Sequence, residues 1–228
     1  MTKATLVILR HGQTEYNKLQ LMTGQRDVPL TATGEEQARA AGTLVSAIRF
    51  DKVYSSHLSR AFNTAALALE SAKTQTHLLN ADGSWRIEQR REIAEHDTGD
   101  FTGRSHKTDP EIINFKRAFD IPLPGGESRK QVVERVRDFF DSEVMPRLLR
   151  GENVLIVAHA GILRAFDIVL GLEDVPAAGA PLIQKHLPNA APTVYEYENG
   201  VLTGNFPLRN PVANQNIPPT GKKPGPEL

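Results

Sequence analysis

The sequence contains no cysteine. That excludes a disulfide scaffold, a thiolate zinc site and a cysteine nucleophile. An excess of one charge is also missing: Lys and Arg total 27, and Asp and Glu total 27. Such balance excludes a nucleic-acid binder with a broad basic surface and an acidic tail protein, yet permits a local basic pocket. Long apolar runs are absent. Leu6-Val7-Ile8-Leu9 stops at Arg10, too short for the core of a signal peptide. Nothing approaches the roughly 20 apolar residues of a membrane helix. There is no HExxH motif and no histidine pair at i,i+4 spacing, so the histidines form no metal-binding pattern. The expectation is a soluble, cytoplasmic protein with no metal, no nucleic-acid partner and no membrane partner.

What remains is an ordinary globular composition, 39% hydrophobic and 24% charged over 228 residues. It suits one α/β domain with a sizeable core. Leu6–Leu9 reads as a short buried strand ending at Arg10-His11-Gly12. Thr33-Gly34-Glu35-Glu36 has the pattern of a helix N-terminus, with Ala38, Ala41, Val45 and Ile48 at helical spacing after it. A second strand is expected over residues 51–55 and a helix over about 59–71. Residues 72–90 give no clear pattern. Thr108-Asp109-Pro110 predicts a helix start, with Ile112, Ile113, Phe115 and Phe119 as its apolar contacts. Ser128 with Gln131 predicts another, leading a long helix marked by Val132, Val136, Phe139, Phe140 and Val144, with Gly151 as its stop. Val154–Ala158 is the clearest buried strand, and a helix follows His159. Asn199-Gly200 predicts a hairpin. From Pro207 on, six of the fifteen prolines crowd into the last segment. The expected organisation is a catalytic domain over 1–206 and a Pro-rich tail or lid over 207–228. Strands alternating with helices predict a three-layer αβα sandwich, a mostly parallel central sheet with helices on both faces.

Two of these strands end in a histidine. Ligands of open α/β sheets bind at the carboxyl ends of the strands, so His11 and His159 are expected to meet in one crevice. Arg10 adjoins the first, Arg60 follows the end of another strand, and Arg164 follows the second histidine. Arginine suits bidentate phosphate contacts, and a helix N-terminus adds backbone donors. The combination points to a phosphate pocket.

Leu9-Arg10-His11-Gly12-Gln13-Thr14-Glu15-Tyr16-Asn17 resembles the signature of the phosphoglycerate-mutase-like, or histidine phosphatase, superfamily. The resemblance continues in order through several further segments. They are Thr23-Gly24, Asp27 with Pro29-Leu30-Thr31 and Gly34, Tyr54 to Ala61, Glu95 with Gly99 and Gly103, Pro124 to Ser128, and His159 with Arg164. It covers about residues 4–200. It implies that His11 is the nucleophile that becomes phosphohistidine, with its tautomer held by a backbone carbonyl near Gly12. It implies that Arg10, Arg60 and His159 surround the transferring phosphoryl, that Asn17 orients it, and that Glu95 is the general acid/base. Phosphoryl transfer needs mainly positioning and charge stabilisation, so the cationic side chains stand in for a metal.

The superfamily holds cofactor-dependent phosphoglycerate mutases and phosphatases. Thr23, Gly24, Lys116 and Arg117 resemble substrate-binding positions of the mutases, and Ala160 and Gly161, in the turn after the second histidine, are expected to bind substrate with them. The leading expectation is a phosphoglycerate mutase interconverting 3- and 2-phosphoglycerate, with 2,3-bisphosphoglycerate as priming phosphate donor. The alternative is a phosphomonoester phosphatase. A non-catalytic phosphate-binding domain is the remote third. Positions Gln25, His96, Thr98, Ala160, Gly161 and Ile162 depart from the mutase pattern and look more like phosphatase members. The partner expected is a small phosphorylated metabolite, with homodimers common in the family.

Overall fold

The structure, a computed structural model, describes residues 1–115, 118–180 and 187–212. Its strands are β1 (Lys3–Arg10), β2 (Lys52–Ser56), β3 (Glu88–Arg90), β4 (Val154–Ala158), β5 (Pro192–Glu198) and β6 (Val201–Pro207). The α-helices are α1 (Glu15–Lys18), α2 (Ala32–Leu44), α3 (Ser59–Ala72), α4 (Pro110–Asn114), α5 (Arg129–Phe139), α6 (Met145–Leu149) and α7 (Ala160–Val169). The six strands form one sheet in the order β3-β2-β4-β1-β5-β6. The four on the β3 side pair in parallel, and the β5–β6 hairpin adds two antiparallel pairings.

Alternation along β1 and β4 explains the three layers. Leu6, Ile8, Val154, Ile156 and Ala158 share one cluster with residues of α5 and α7. Val7, Leu9, Leu155 and Val157 share the other with residues of α2 and α3. A strand with helices over both faces must be apolar at every position, so both strands read as continuous hydrophobic runs. Asn199 and Gly200 both have positive φ, 51° and 80°, as a two-residue hairpin turn requires.

Several element boundaries differ from the sequence expectation. α2 is capped by Thr31, not Thr33: the Thr31 hydroxyl accepts from Gly34 N at 3.0 Å. The Thr31 amide in turn donates to Gln13 O, which ties the helix start to the loop after His11. α4 begins at Pro110 as expected, with Asp109 as cap, but stops at Asn114. Only Ile112 of its expected contacts is buried beneath it, with Phe115 packed alongside; Ile113 is exposed and Phe119 joins the main core. The long helix after Ser128 is interrupted. A widened π turn, Phe140–Val144, separates α5 from α6. Pro146 enters just after it, where its missing N–H and its ring would break a regular helix. The strand β3 lies in the stretch that gave no pattern. The chain also stays bound past residue 206. Leu208 N donates to Pro192 O, and buried Asn210 donates to Gln37 O and Ala190 O at 3.0 and 2.6 Å. The expected tail beyond Val212 lies outside the described residues. Among the described residues, no helix is long and apolar enough to cross a membrane.

Candidate active site

The register of β1 against β4 builds the centre of the site. Arg10 pairs with Ala158, so the next residue on each strand, His11 and His159, leaves the sheet side by side. His11 N donates to Ala158 O at 2.9 Å. The two imidazole centroids lie 5.1 Å apart. β2 and β3 run parallel to these strands, so their ends deliver α3 with Arg60, and the loop with Glu95, to the same edge.

His11 is buried, and its Nδ1 lies 2.7 Å from Gly12 O. A carbonyl can only accept, so Nδ1 carries the proton and Nε2 keeps its lone pair. Gly12 has no room for a side chain: a Cβ would stand 2.2 Å from Gly34 O. Burial, then the charges of Arg60 and Arg10, hold His11 well below the usual histidine pKa. Burial and the same neighbours do this to His159 too. Both rings are therefore neutral at pH 7, which is what a nucleophilic imidazole needs.

The cations are tethered by backbone carbonyls. Arg60 is fully buried and donates to Arg26 O at 2.7 Å and Gly24 O at 2.9 Å. Gly24 has φ +50°, and a Cβ there would meet Thr98 Oγ1 at 2.4 Å. Gly24 thus holds Arg60 as well as lining the pocket with Thr23. Arg10 donates to Leu187 O. Burial pushes Arg10 down to about 10, with Glu95 opposing the shift. The Nε atoms of Arg10 and Arg60 and both ring nitrogens of His159 are buried without a hydrogen-bond partner. Unspent donors packed among like charges are costly unless an anion completes them.

Asn17 is the third residue of α1 and shares a capping box with Thr14. Its Oδ1 accepts from Thr14 N and from Asn189 Nδ2, leaving its amide NH₂ to act on the pocket. Glu95 stands on the opposite strand-end loop. Its Oε1 accepts from His96 N at 2.8 Å and from Gly161 N at 3.1 Å, at the first turn of α7. Gly161 is required there, because a Cβ would lie 2.2 Å from Glu95 Oε1 and 2.6 Å from Arg129 Nη1. A cavity of about 170 Å³ is lined by Arg10, His11, Asn17, Thr23, Gly24, Glu95, Ala160 and Gly161, together with His96, Thr98, Arg129 and Arg164. Lys116 and Arg117 lie outside the described residues. Among the described residues, no group of three His, Asp or Glu could hold a metal ion.

A profile of the histidine phosphatase superfamily (branch 1) matches residues 6–204. The chain belongs to the histidine phosphatase superfamily. A protein of Parvibaculum lavamentivorans named 2,3-bisphosphoglycerate-dependent phosphoglycerate mutase is 38% identical over 202 residues, covering 85% of this chain and 90% of that one. Among solved structures, the mycobacterial glucosyl-3-phosphoglycerate phosphatase complexed with VO3 is 30% identical. Its TM-score is 0.66, and the match covers 84% of this chain and 92% of that one. Phosphoglycerate mutase from Bacillus anthracis is 26% identical with a TM-score of 0.69, covering 89% and 91%. This member of the superfamily is thus similar to mutases and to phosphatases over nearly its whole folded length.

The sequence alone assigns no role to three residues at the site. Asn189 bridges His11 O and Asn17 Oδ1 at 3.0 and 3.2 Å. Arg135 grips both oxygens of Glu127 at 3.0 Å and so braces the loop facing Glu95. Arg129 lines the cavity from the first position of α5. The two arginines lie on a helix whose sequence marks only an amphipathic face.

Proposed function

We propose that this chain takes a phosphoryl group from a small phosphomonoester onto His11 Nε2 and passes it on. The observation that carries this is the meeting of a neutral, tautomer-fixed His11 with His159, Arg10 and Arg60, whose buried donors are unspent. In the first half-reaction, the bond between phosphorus and the ester oxygen breaks as the His11–phosphorus bond forms. Glu95 gives a proton to the departing oxygen and later takes one from the incoming acceptor. Arg10, Arg60, His159 and the Asn17 amide hold the equatorial oxygens, whose charge is spread in the transition state.

The leading reading for the acceptor is a glycerate phosphate, making the chain a 2,3-bisphosphoglycerate-dependent phosphoglycerate mutase. The names of its curated relatives support this. In that case 2,3-bisphosphoglycerate supplies the priming phosphoryl, and the unspent donors of Arg10, Arg60 and His159 suit one of its phosphates. A second reading, hydrolysis, rests on His96, Thr98 and the Ala160-Gly161 turn, which line the cavity and depart from the mutase pattern. The likeness to a glucosyl-3-phosphoglycerate phosphatase supports it too. One paired assay separates the two. Interconversion of 3- and 2-phosphoglycerate, with and without 2,3-bisphosphoglycerate, is measured beside phosphate release from p-nitrophenyl phosphate. Interconversion that depends on the bisphosphate is expected. Efficient release without interconversion would replace the mutase reading with the phosphatase one.

A further inference from the structure

Glu95 marks where the leaving oxygen of the substrate sits, so whatever that oxygen carries must pack against the residues around Glu95. Gly161 forms that surface. The point where its Cβ would stand is 2.2 Å from Glu95 Oε1 and 2.6 Å from Arg129 Nη1, so a carboxylate and a guanidinium converge over a residue with no side chain. Arg129 is not a loose surface group. It is half-buried at the first position of α5, directly after Ser128. Ser128 is buried and locked in a capping box with Gln131, whose amide donates to Ser128 Oγ at 3.2 Å. The residue before it, Glu127, is clamped by Arg135 and accepts from Asp97 N at 3.0 Å. Arg10 and Arg60 stand on the histidine side, on β1 and α3, and are tied to the carbonyls of Leu187 and Gly24. Arg164 faces Asp167 and Glu173 as well as Glu95.

We propose that Arg129 is a specificity-determining residue that binds a carboxylate on the leaving-group side of the phosphoester. This rests on the phosphohistidine reading above and names its substrate class: phosphorylated hydroxy acids. The guanidinium offers a planar fork suited to a carboxylate, and Gly161 leaves the space for it.

The test measures phosphorylation of His11 from radiolabelled 3-phosphoglycerate and from glycerol 3-phosphate, which lacks the carboxylate charge. This readout precedes the choice between mutase and phosphatase. The wild-type chain is expected to favour 3-phosphoglycerate by about ten- to hundred-fold, the scale of one charge-assisted contact. Arg129→Gln should collapse that ratio, through weaker binding rather than a slower transfer step, and Arg129→Lys should restore part of it. A ratio unchanged in Arg129→Gln, equal losses on both substrates, or a collapse in Arg164→Gln instead would overturn the assignment. If neither ester labels the wild-type chain, the phosphohistidine reading itself fails, and this proposal with it.

Discussion

His11, Arg10 and His159 leave the ends of two paired central strands, whereas Glu95 and His96 on a loop, and Arg129 at the start of α5, form the far wall of the cavity beside His11. The first group inherits its geometry from the β1–β4 register and from strand residues that are wholly buried. The second is held by side-chain links: Arg135 to Glu127, Glu127 to Asp97 N, and Gly161 N to Glu95. On the proposed mechanism, the cradle handles the phosphoryl common to every substrate. On the same mechanism, the wall with Glu95 meets the part of the substrate that varies. A fixed cradle with an adjustable wall is a physical reason why one superfamily holds both mutases and phosphatases.

Changes in the cradle should act on all substrates alike. His11→Ala removes the proposed nucleophile, and we expect turnover to fall by about 10⁴-fold or more, as for other covalent nucleophiles. Acid-labile, base-stable labelling should vanish with it; labelling that persists would refute His11 as the acceptor. Arg60→Gln should cost about 10²- to 10³-fold in kcat, the scale of one preorganised donor. That loss should be the same for alkyl and aryl phosphates. A loss confined to one class would move Arg60 out of the cradle.

Changes in the wall should discriminate. Glu95→Gln is expected to slow poor leaving groups, such as 3-phosphoglycerate, by about 10²-fold or more, and p-nitrophenyl phosphate far less. Equal effects would remove Glu95 as the acid. Gly161→Ala places a Cβ within 2.2 Å of Glu95 Oε1. The carboxylate must move, and a shift near 1 Å costs up to about 10²-fold where geometry matters. An unchanged kcat on good and poor leaving groups alike would show that the wall does not position the acid.

The same contrast explains what could be read from sequence. The cradle was legible because its residues sit where apolar runs stop, and a run of four or five buried residues fixes a strand end closely. The partners of Arg60 were half legible: the Thr23-Gly24 pair stood out, but its carbonyl contact with a buried guanidinium is visible only in three dimensions. β3 was illegible because Glu88-Gln89-Arg90 is a short, polar edge strand. The cap of α2 was displaced by two residues because two threonines compete there, and only Thr31 also joins the loop after His11. Arg129 gave no signal, since an arginine at a helix start is usually a solvated one. Its setting depends on a glycine thirty-two positions further along the chain.

The smallest expected effect concerns stability. Burial holds His11 and His159 below the ordinary histidine pKa, and His96, on the wall, is pushed down to about 4 by burial and by Arg129. All three are neutral in the folded chain at pH values where the unfolded chain binds protons. Stability from these groups is therefore full above the unfolded value of about 6.5 and falls as pH drops below it. The slope is at most about 1.4 kcal/mol per pH unit for each group. Urea unfolding between pH 5 and 8 should show stability rising to about pH 6.5 and then levelling. His96→Gln should flatten part of that slope. Saturating inorganic phosphate should flatten the share from His11 and His159, because an anion in the cradle favours their charged forms, while leaving more of the His96 share in place. Equal flattening by phosphate and by His96→Gln, or none by phosphate, would mean that the cradle and the wall are not the separate electrostatic units described.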